Sequence, residues 1–295
     1  MSFIIIFAIV LIAFIINLSS KQKKQKAVKI IKNANIELEL ENYSKAIYFY
    51  EKAILIDNKN YILYYNHGLA NLAIGKYQNS IDSFSQAISL NRNFNPAYLQ
   101  RAFSYIQLRD YKKALDDCNQ ISYAENVSTG LDVNLVRGTI FIHLGKYQRA
   151  LDEFNKSLKS NSDFFLVHSC RAEAYCYLGR YNQALESLQK SFAINPDFYM
   201  NYLWKSWANY GISNYEEALE DCNYFFEHNN YGEESPKAYE IRALIYKAQN
   251  RIDDSLADLE KAYRLYKNQK VPKIHCDEIV KHIRQIKGKN INEIT

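Results

Sequence analysis

The sequence predicts an all-α protein. We expect a right-handed α-solenoid of seven helix-turn-helix repeats, preceded by an N-terminal hydrophobic anchor helix and followed by a C-terminal capping helix. A short phrase recurs along the chain, clearest as Gly75-Lys76-Tyr77 followed by Ser80 and Phe84. The small residue after each turn recurs at intervals of 34 residues in four cases, and of 36 and 37 in the other two. A fixed period of this length is typical of stacked repeat units. The small residues are Ala46, Ser80, Ala114, Ala150, Ala184, Ala218 and Ser255.

The amino-acid composition argues against several classes of fold and function. Of the 295 residues 48% are apolar, and the 9 Gly and 4 Pro are too few for a turn-rich β fold. The net charge of +5 is too small to indicate nucleic-acid binding by itself. Five cysteines without a Cys-x-x-Cys pair argue against a disulfide framework and fit reduced, buried thiols.

Within each period, the pattern of side chains predicts two helices. In the unit at residues 95–128, apolar side chains recur at the i, i+3, i+4, i+7 spacing of a helix packed on one side, before and after a turn at 108–111. Each first helix also has one small residue, which we expect where the two helix axes approach closely, because a bulky side chain there would force them apart. These residues are Ala34, Gly68, Ala102, Gly138, Ala172, Ser206 and Ala243.

The small residues and a tyrosine in each turn carry a resemblance to a known family. The turn tyrosines are Tyr43, Tyr77, Tyr111, Tyr147, Tyr181 and Tyr215. This pattern resembles the tetratricopeptide repeat family, and it covers residues 27–269 as seven units. Ile252 replaces the tyrosine in the last unit, and atypical terminal units are expected in a repeat array. The resemblance implies a stack of helical hairpins whose groove binds peptides or partner helices.

The N-terminal segment, residues 1–20, is predicted to be a membrane anchor. Phe3 to Ile16 are all apolar, and residues 21–26 form a lysine-rich linker. A cleaved signal peptide should have its positive charge before the apolar run and end in a small-x-small site, and neither is found. We therefore expect residues 3–18 to form a single-pass anchor. The repeats should then be cytoplasmic, because basic residues stay on that side. A cleaved signal and a buried core helix are the alternatives.

Residues 270–295 are predicted to form a capping helix and a tail. Pro272 suits the start of a helix and Gly288 its end, with apolar residues at helical spacing between them. We expect this helix to cover the apolar face of the last repeat.

A basic residue on the first helix is matched by an acidic residue sixteen positions later, on the second helix. From this regularity we predict four ion pairs within repeats. Because an acidic residue accompanies the basic residue in these repeats, we expect the pairs to stabilise the fold and not to contact a ligand. Where the acid is absent, we expect Arg171 to face Ser187 and His67 to face Ser83. The predicted pairs are Arg101–Asp117, Arg137–Glu153, Lys205–Asp221 and Arg242–Asp258.

No motif predicts catalysis, a cofactor or a metal. The sequence has no Gly-rich phosphate loop with a GKS or GKT triplet. His275, Glu278 and His282 could share one helix face, but no further ligand cluster lies nearby in the sequence. We expect no enzyme, no cofactor, no metal site and no small-molecule substrate.

Several first helices have a second apolar stripe, on the face that the resemblance places in the groove. These residues are predicted to bind the partner, and the competing interpretation is that some of them pack against the next first helix. Large aromatic side chains are common at the energetic centres of interfaces. The predicted partner-binding residues are Tyr65, Leu69, Leu99, Phe103, Ile106, Leu203, Trp207 and Tyr210.

The predicted function is a membrane-tethered scaffold that binds a peptide or helix of a protein partner in the concave groove. Some family members clamp terminal carboxylates with Lys and Asn, but Ile31 and Leu135 stand at such positions here, so an apolar ligand is favoured. One alternative is an exported solenoid, periplasmic or extracellular, that assists envelope protein assembly after signal cleavage. RNA binding would need a basic, stacking-capable groove. Glu173 and Glu240 lie on the expected groove side, so we expect no nucleic-acid partner.

Overall fold

The computed structural model describes residues 22–23, 25–121, 132–229, 235–268 and 273–287, with side chains from residue 276 onward in the last range. Every regular element in these ranges is an α-helix, and none is a strand. The chain divides into two compact units, Met1–Leu144 and Gly145–Thr295, which we call unit 1 and unit 2. We describe each unit by itself.

Fifteen helices lie in the described ranges. Those of unit 1 are α1 (25–39), α2 (Tyr43–Ile54), α3 (Tyr61–Ala73), α4 (Tyr77–Leu90), α5 (Asn95–Gln107), α6 (Tyr111–Gln120) and α7 (Val133–His143). Those of unit 2 are α8 (Tyr147–Ser160), α9 (Phe165–Tyr177), α10 (Tyr181–Ile194), α11 (Met200–Gly211), α12 (Tyr215–His228), α13 (Pro236–Ala248), α14 (Ile252–Asn268) and α15 (Lys273–Lys287). Up to α14, odd numbers are the predicted first helices and even numbers the second helices.

The small residues lie where the two helices of a hairpin touch. Ala102 and Ala114 are completely buried between α5 and α6. At Gly68 on α3, a Cβ atom would lie 2.5 Å from Cε1 of Phe84 on α4, far inside van der Waals contact. Phe84 is itself fully buried and has little room to move. The predicted close approach of the helices is confirmed at these positions.

Buried serines at the small positions find hydrogen-bond acceptors. The Oγ atom of Ser80 donates to the Oγ atom of Ser104 at 2.8 Å, and so links α4 to the next first helix, α5. Ser206 Oγ donates to the carbonyl oxygen of Ala218 at 2.7 Å, and Ser255 Oγ to that of Ala243 at 2.7 Å. A serine therefore keeps the helices close without leaving an unpaired buried hydroxyl.

The turns within hairpins share one backbone geometry. After Gly75, for example, the amide of Lys76 donates to the carbonyl oxygen of Asn71 at 2.9 Å, which is the long-range bond of a Schellman ending. One residue in each turn has a positive φ, between 58° and 73°. These residues are Glu41, Gly75, Arg109, Gly145, Gly179, Ser213 and Asn250.

Three of the predicted ion pairs are confirmed. Arg101 and Asp117 form two parallel bonds, of 2.8 Å from Nε and 2.6 Å from Nη2. The other two pairs are Lys205–Asp221 and Arg242–Asp258, each with an N to O distance of 2.7 Å. The two contacts predicted with serine are also present: His67 Nδ1 lies 2.9 Å from Ser83 Oγ, and Arg171 Nε donates to Ser187 Oγ at 3.2 Å.

The fourth predicted pair, Arg137–Glu153, has one member in each unit. Arg137 donates to the carbonyl oxygen of Cys118, and Glu153 accepts from Lys156.

Helix α15 packs on the last hairpin. Ile279 and Ile283 are buried in a cluster that includes Leu259 and Tyr266 of α14. Lys287 Nζ, at the end of α15, lies 2.9 Å from Oε1 of Glu260 on α14, so an ion pair also joins the two helices. The helix thus covers apolar surface of α14, as expected for the end of a repeat array.

The predicted membrane localisation has to be corrected. Within the ranges given above, no helix combines the length and the apolar character that crossing a bilayer requires. A single-pass membrane protein is therefore not supported, and the cytoplasmic orientation derived from it is withdrawn as well. The predicted anchor at residues 3–18 lies outside the described residues. The boundaries of the predicted domains, the number of repeats and the handedness stay predictions.

Candidate partner-binding face on the first helices

The first helices form a layer of their own in each unit. In unit 1, α5 contacts both α3 and α7, and in unit 2, α11 contacts both α9 and α13. We call the exposed side of these layers the first-helix face of each unit. The predicted partner-binding residues all belong to first helices.

The first-helix face of unit 1 presents a mixture of exposed and half-buried apolar side chains. Among the predicted partner-binding residues, Phe103 on α5 is the most exposed, with 38% of its surface accessible. Ile106, one turn further along, is half-buried against the core. Tyr65 and Leu69 on α3 are also half-buried. The Tyr65 ring meets the Phe94 ring edge-on at 5.0 Å, and burial raises the pKa of its hydroxyl.

Two of the predicted residues lie in the core. Leu99 is 0% exposed and Leu203 is 1% exposed, and each belongs to a cluster that includes residues of the neighbouring first helix. These two side chains offer no surface to a partner, so for them the packing interpretation holds. The reason is geometric, since one stripe of each first helix must fill the contact with the next.

Aromatic rings line the first-helix face of unit 2. Trp207 on α11 is half-buried, and its ring meets the ring of Tyr177, at the end of α9, edge-on at 4.8 Å. Tyr147, at the start of α8, stacks on Tyr177 at 4.6 Å with the two planes 3° apart. We call these three rings the aromatic wall. Tyr210 is half-buried beside it on α11, with its ring 5.9 Å from that of Tyr215.

A cluster of charged side chains lies against the aromatic wall. The Lys237 ammonium, on the first turn of α13, is 4.0 Å from the centre of the Trp207 ring and 5.2 Å from that of Tyr177. It is also 3.1 Å from Oε1 of Glu240, whose Oε2 atom accepts a 3.1 Å hydrogen bond from the Tyr266 hydroxyl. Both oxygens of the Glu240 carboxylate are therefore engaged. Attraction to the rings and to the carboxylate holds the ammonium in place.

The carboxyl group of Glu173, on α9, is in a different situation. Within the part of the chain that the structure describes, Glu173 makes no hydrogen bond and no ion pair. Burial raises its pKa to about 8, and the Lys237 ammonium opposes this rise only in part. At neutral pH Glu173 is thus mostly protonated in the free protein.

Tyr177 and Lys237 were not among the predicted partner-binding residues. Glu173 and Glu240 were expected on this side of the helices, and Lys237 is three residues before Glu240 on the same helix face. That spacing was the available signal for Lys237. Tyr177 gave no comparable signal, because its meeting with Trp207 depends on how two hairpins pack.

The described side chains include no group of three or more His, Cys, Asp or Glu that could hold a metal ion. The side chain of His275, one of three residues considered for such a site, lies outside this set.

Comparison with known proteins identifies the family. Two family models, both described as Tetratricopeptide repeat, match this chain, one at residues 165–198 and the other at residues 61–94 and 236–269. The solved structure of a tetratricopeptide repeat protein from Parabacteroides merdae ATCC 43184 superposes with a TM-score of 0.66 at 22% identity. The match covers 87% of this chain and 98% of that one. The chain therefore contains tetratricopeptide repeats.

Curated tetratricopeptide repeat relatives match over shorter stretches. The Tetratricopeptide repeat and J domain-containing co-chaperone DNJ1 of Cryptococcus neoformans is 35% identical over 88 residues, or 30% of this chain and 17% of that protein. Serine/threonine-protein phosphatase 5 of Rattus norvegicus is 25% identical over 141 residues, 47% of this chain and 28% of that protein. The chain thus matches less than a third of the length of these relatives. What is shared is an all-helical tetratricopeptide fold, typical of protein-protein interaction scaffolds.

Proposed function

We propose that this tetratricopeptide repeat protein is an interaction module that binds a peptide or helix of a protein partner on its first-helix faces. The observation that carries the proposal is the set of large apolar side chains left accessible there, Phe103 above all. Tyr65, Leu69 and Ile106 surround the same face, and Trp207 and Tyr210 are its counterparts in unit 2.

The residue types favour a protein ligand. Phe103 has 38% of its surface left to bury, so a ligand that covers it fully gains about 0.5–1 kcal/mol from this ring. Tryptophan and tyrosine are the residues most often found at the energetic centre of an interface. The first helices present these side chains on rigid secondary structure, so little order has to be gained on binding.

A scaffold role also agrees with the family. Phosphatase activity and co-chaperone function belong to the names of two relatives, of which only 28% and 17% are matched here. We therefore propose binding, and not catalysis, as what the matched repeats have in common.

The test is crosslinking mass spectrometry on the tagged full-length protein. We expect the double variant Phe103→Ala/Trp207→Ala to lose the partners that the wild type crosslinks. The matched control is Tyr48→Ala, which removes a 50% exposed aromatic ring from the second helix α2 and should leave the partners unchanged. Circular dichroism checks that all variants keep their helices.

Identical partners for the wild type and the double variant would refute binding on the first-helix faces. A partner affinity that falls steeply with salt would instead indicate a nucleic acid, because counterion release dominates such complexes.

A further inference from the structure

The aromatic wall of unit 2 already holds a positive charge. The Lys237 ammonium lies over the Trp207 ring at 4.0 Å and near the Tyr177 ring at 5.2 Å, in the geometry of a cation bound to aromatic faces. Because Lys237 belongs to the chain itself, the wall shows which ligand chemistry it accepts without any bound molecule.

Carboxyl groups outnumber ammonium groups beside the wall. Lys237 is paired with Glu240, and the second oxygen of Glu240 is taken by the Tyr266 hydroxyl. Glu173 is left without a hydrogen bond or an ion pair among the described residues. The face therefore has two carboxyl groups for one ammonium.

We propose that a lysine or arginine side chain of the partner binds beside the aromatic wall of unit 2, with the Glu173 carboxylate as its counter-ion. This inference rests on the proposed function and names the chemistry of the residue that the partner must supply. The apolar stem of such a side chain can lie along the rings while its charged end reaches the carboxylate.

The protonation of Glu173 gives the binding a measurable consequence. With a pKa of about 8, this carboxyl is mostly protonated at pH 7. A cation at hydrogen-bonding distance favours the ionised form and lowers the pKa. Binding at pH 7 should therefore release up to about one proton per bound peptide.

Other titratable groups face Glu173 from the surrounding helices. Those that interact with it are Cys176 and Tyr177 on α9, Tyr147 on α8 and Lys237 on α13. Glu240 on α13, Tyr266 on α14, and Glu278 and His282 on α15 interact with these groups or with one another. Burial keeps the pKa of the Cys176 thiol and of the Tyr177 and Tyr266 hydroxyls above their usual values. These groups stay neutral near pH 7, so Glu173 is the main source of the released proton.

The experiment uses the full-length protein and a random 12-residue peptide library displayed on phage. Selection on the wild type should enrich peptides with Lys or Arg at one fixed position relative to apolar residues, and selection on Glu173→Gln should lose this preference. The matched control is Glu186→Gln on the second helix α10, where the carboxylate is exposed and paired with Lys190 at 2.9 Å. It should select the same peptides as the wild type.

The best peptide is then measured by calorimetry at pH 7 in two buffers of different ionisation enthalpy. We expect a net release of protons, and about a tenfold loss of affinity when the basic residue is replaced by norleucine. Glu173→Gln should cause a similar loss, and the two changes together should cost no more than either alone. Lys237→Ala should strengthen binding, because it removes the internal competitor and frees Glu240.

The outcomes separate this inference from the proposed function. Peptides that are enriched without a basic residue, or that bind Glu173→Gln as tightly as the wild type, would overturn the inference and leave peptide binding intact. A library that yields no peptide on the wild type would overturn both.

Discussion

The raised pKa of Glu173 predicts how the stability of the free protein depends on pH. The folded protein keeps the Glu173 proton up to about pH 8, whereas an unfolded chain releases it near the ordinary glutamate value of 4.5. Between these two pH values the folded state binds more protons than the unfolded state. Stability therefore falls as the pH rises through this window.

The magnitude follows from the two pKa values. A change from 4.5 to about 8 corresponds to about 5 kcal/mol, since one pKa unit is worth about 1.4 kcal/mol. Water that reaches a half-buried carboxyl reduces this to about 2–4 kcal/mol. Glutamine has nearly the same shape and does not ionise. We therefore expect Glu173→Gln to be within about 1 kcal/mol of the wild type at pH 5 and about 2–4 kcal/mol more stable than the wild type at pH 9.

The assay is urea unfolding followed by far-UV circular dichroism at pH 5, 7 and 9. Glu186→Gln serves as the control, because the exposed Glu186 has its pKa lowered by Lys190 and should give a small effect of opposite sign. If the free energies of unfolding of the wild type and Glu173→Gln stay parallel from pH 5 to pH 9, the pKa of Glu173 is not raised in the folded protein.

Three further predictions concern the packing within hairpins. A double-mutant cycle on Arg101→Ala and Asp117→Ala should give a coupling of about 1–3 kcal/mol in the free energy of unfolding, and additive effects would contradict the ion pair. Gly68→Ala should destabilise the protein, because about 1–3 kcal/mol of overlap with the Phe84 ring outweighs about 0.5–1 kcal/mol gained in helix propensity. Adding Phe84→Leu should cost less in the Gly68→Ala variant than in the wild type, and equal costs would exclude the overlap. Burial raises the pKa of the Cys222 thiol to about 12, so this thiol should react with Ellman's reagent at pH 8 only after unfolding. Rapid labelling of the native protein would show that Cys222 is accessible.

The hairpins could be predicted from sequence because their determinants are local. A small residue, its partner about twelve positions later and an ion pair at sixteen positions all fall within one repeat, and repetition along the chain separates this signal from chance. Arg101 and Asp117 meet as the spacing indicates. The small residue predicted at Gly68 is needed for the close approach of α3 to α4, where a Cβ atom would overlap the Phe84 ring.

The first-helix faces were harder to predict, because contact with the next repeat and contact with a partner both require apolar side chains. Leu99 and Phe103 are one turn apart on α5, yet the first is fully buried and the second is 38% exposed. Which of the two side chains is buried depends on how each hairpin is rotated against its neighbour. The same rotation brings Lys237 to Trp207, which is 30 residues earlier in the sequence. No pattern within one repeat contains that information.

The turn residues with a positive φ are positions at which substitution can change the stability of each hairpin. Glycine adopts a positive φ freely, but Glu41, Arg109 and Ser213 hold it at a cost of about 1–2 kcal/mol each. Glycine would remove that cost and add about 0.5–1 kcal/mol of chain entropy to the unfolded state, so each exchange should leave a small gain. None of these three residues belongs to the first-helix faces. Among related chains, thermal stability can therefore change through substitutions in the turns of the hairpins. Ligand specificity can change independently, through substitutions on the first helices.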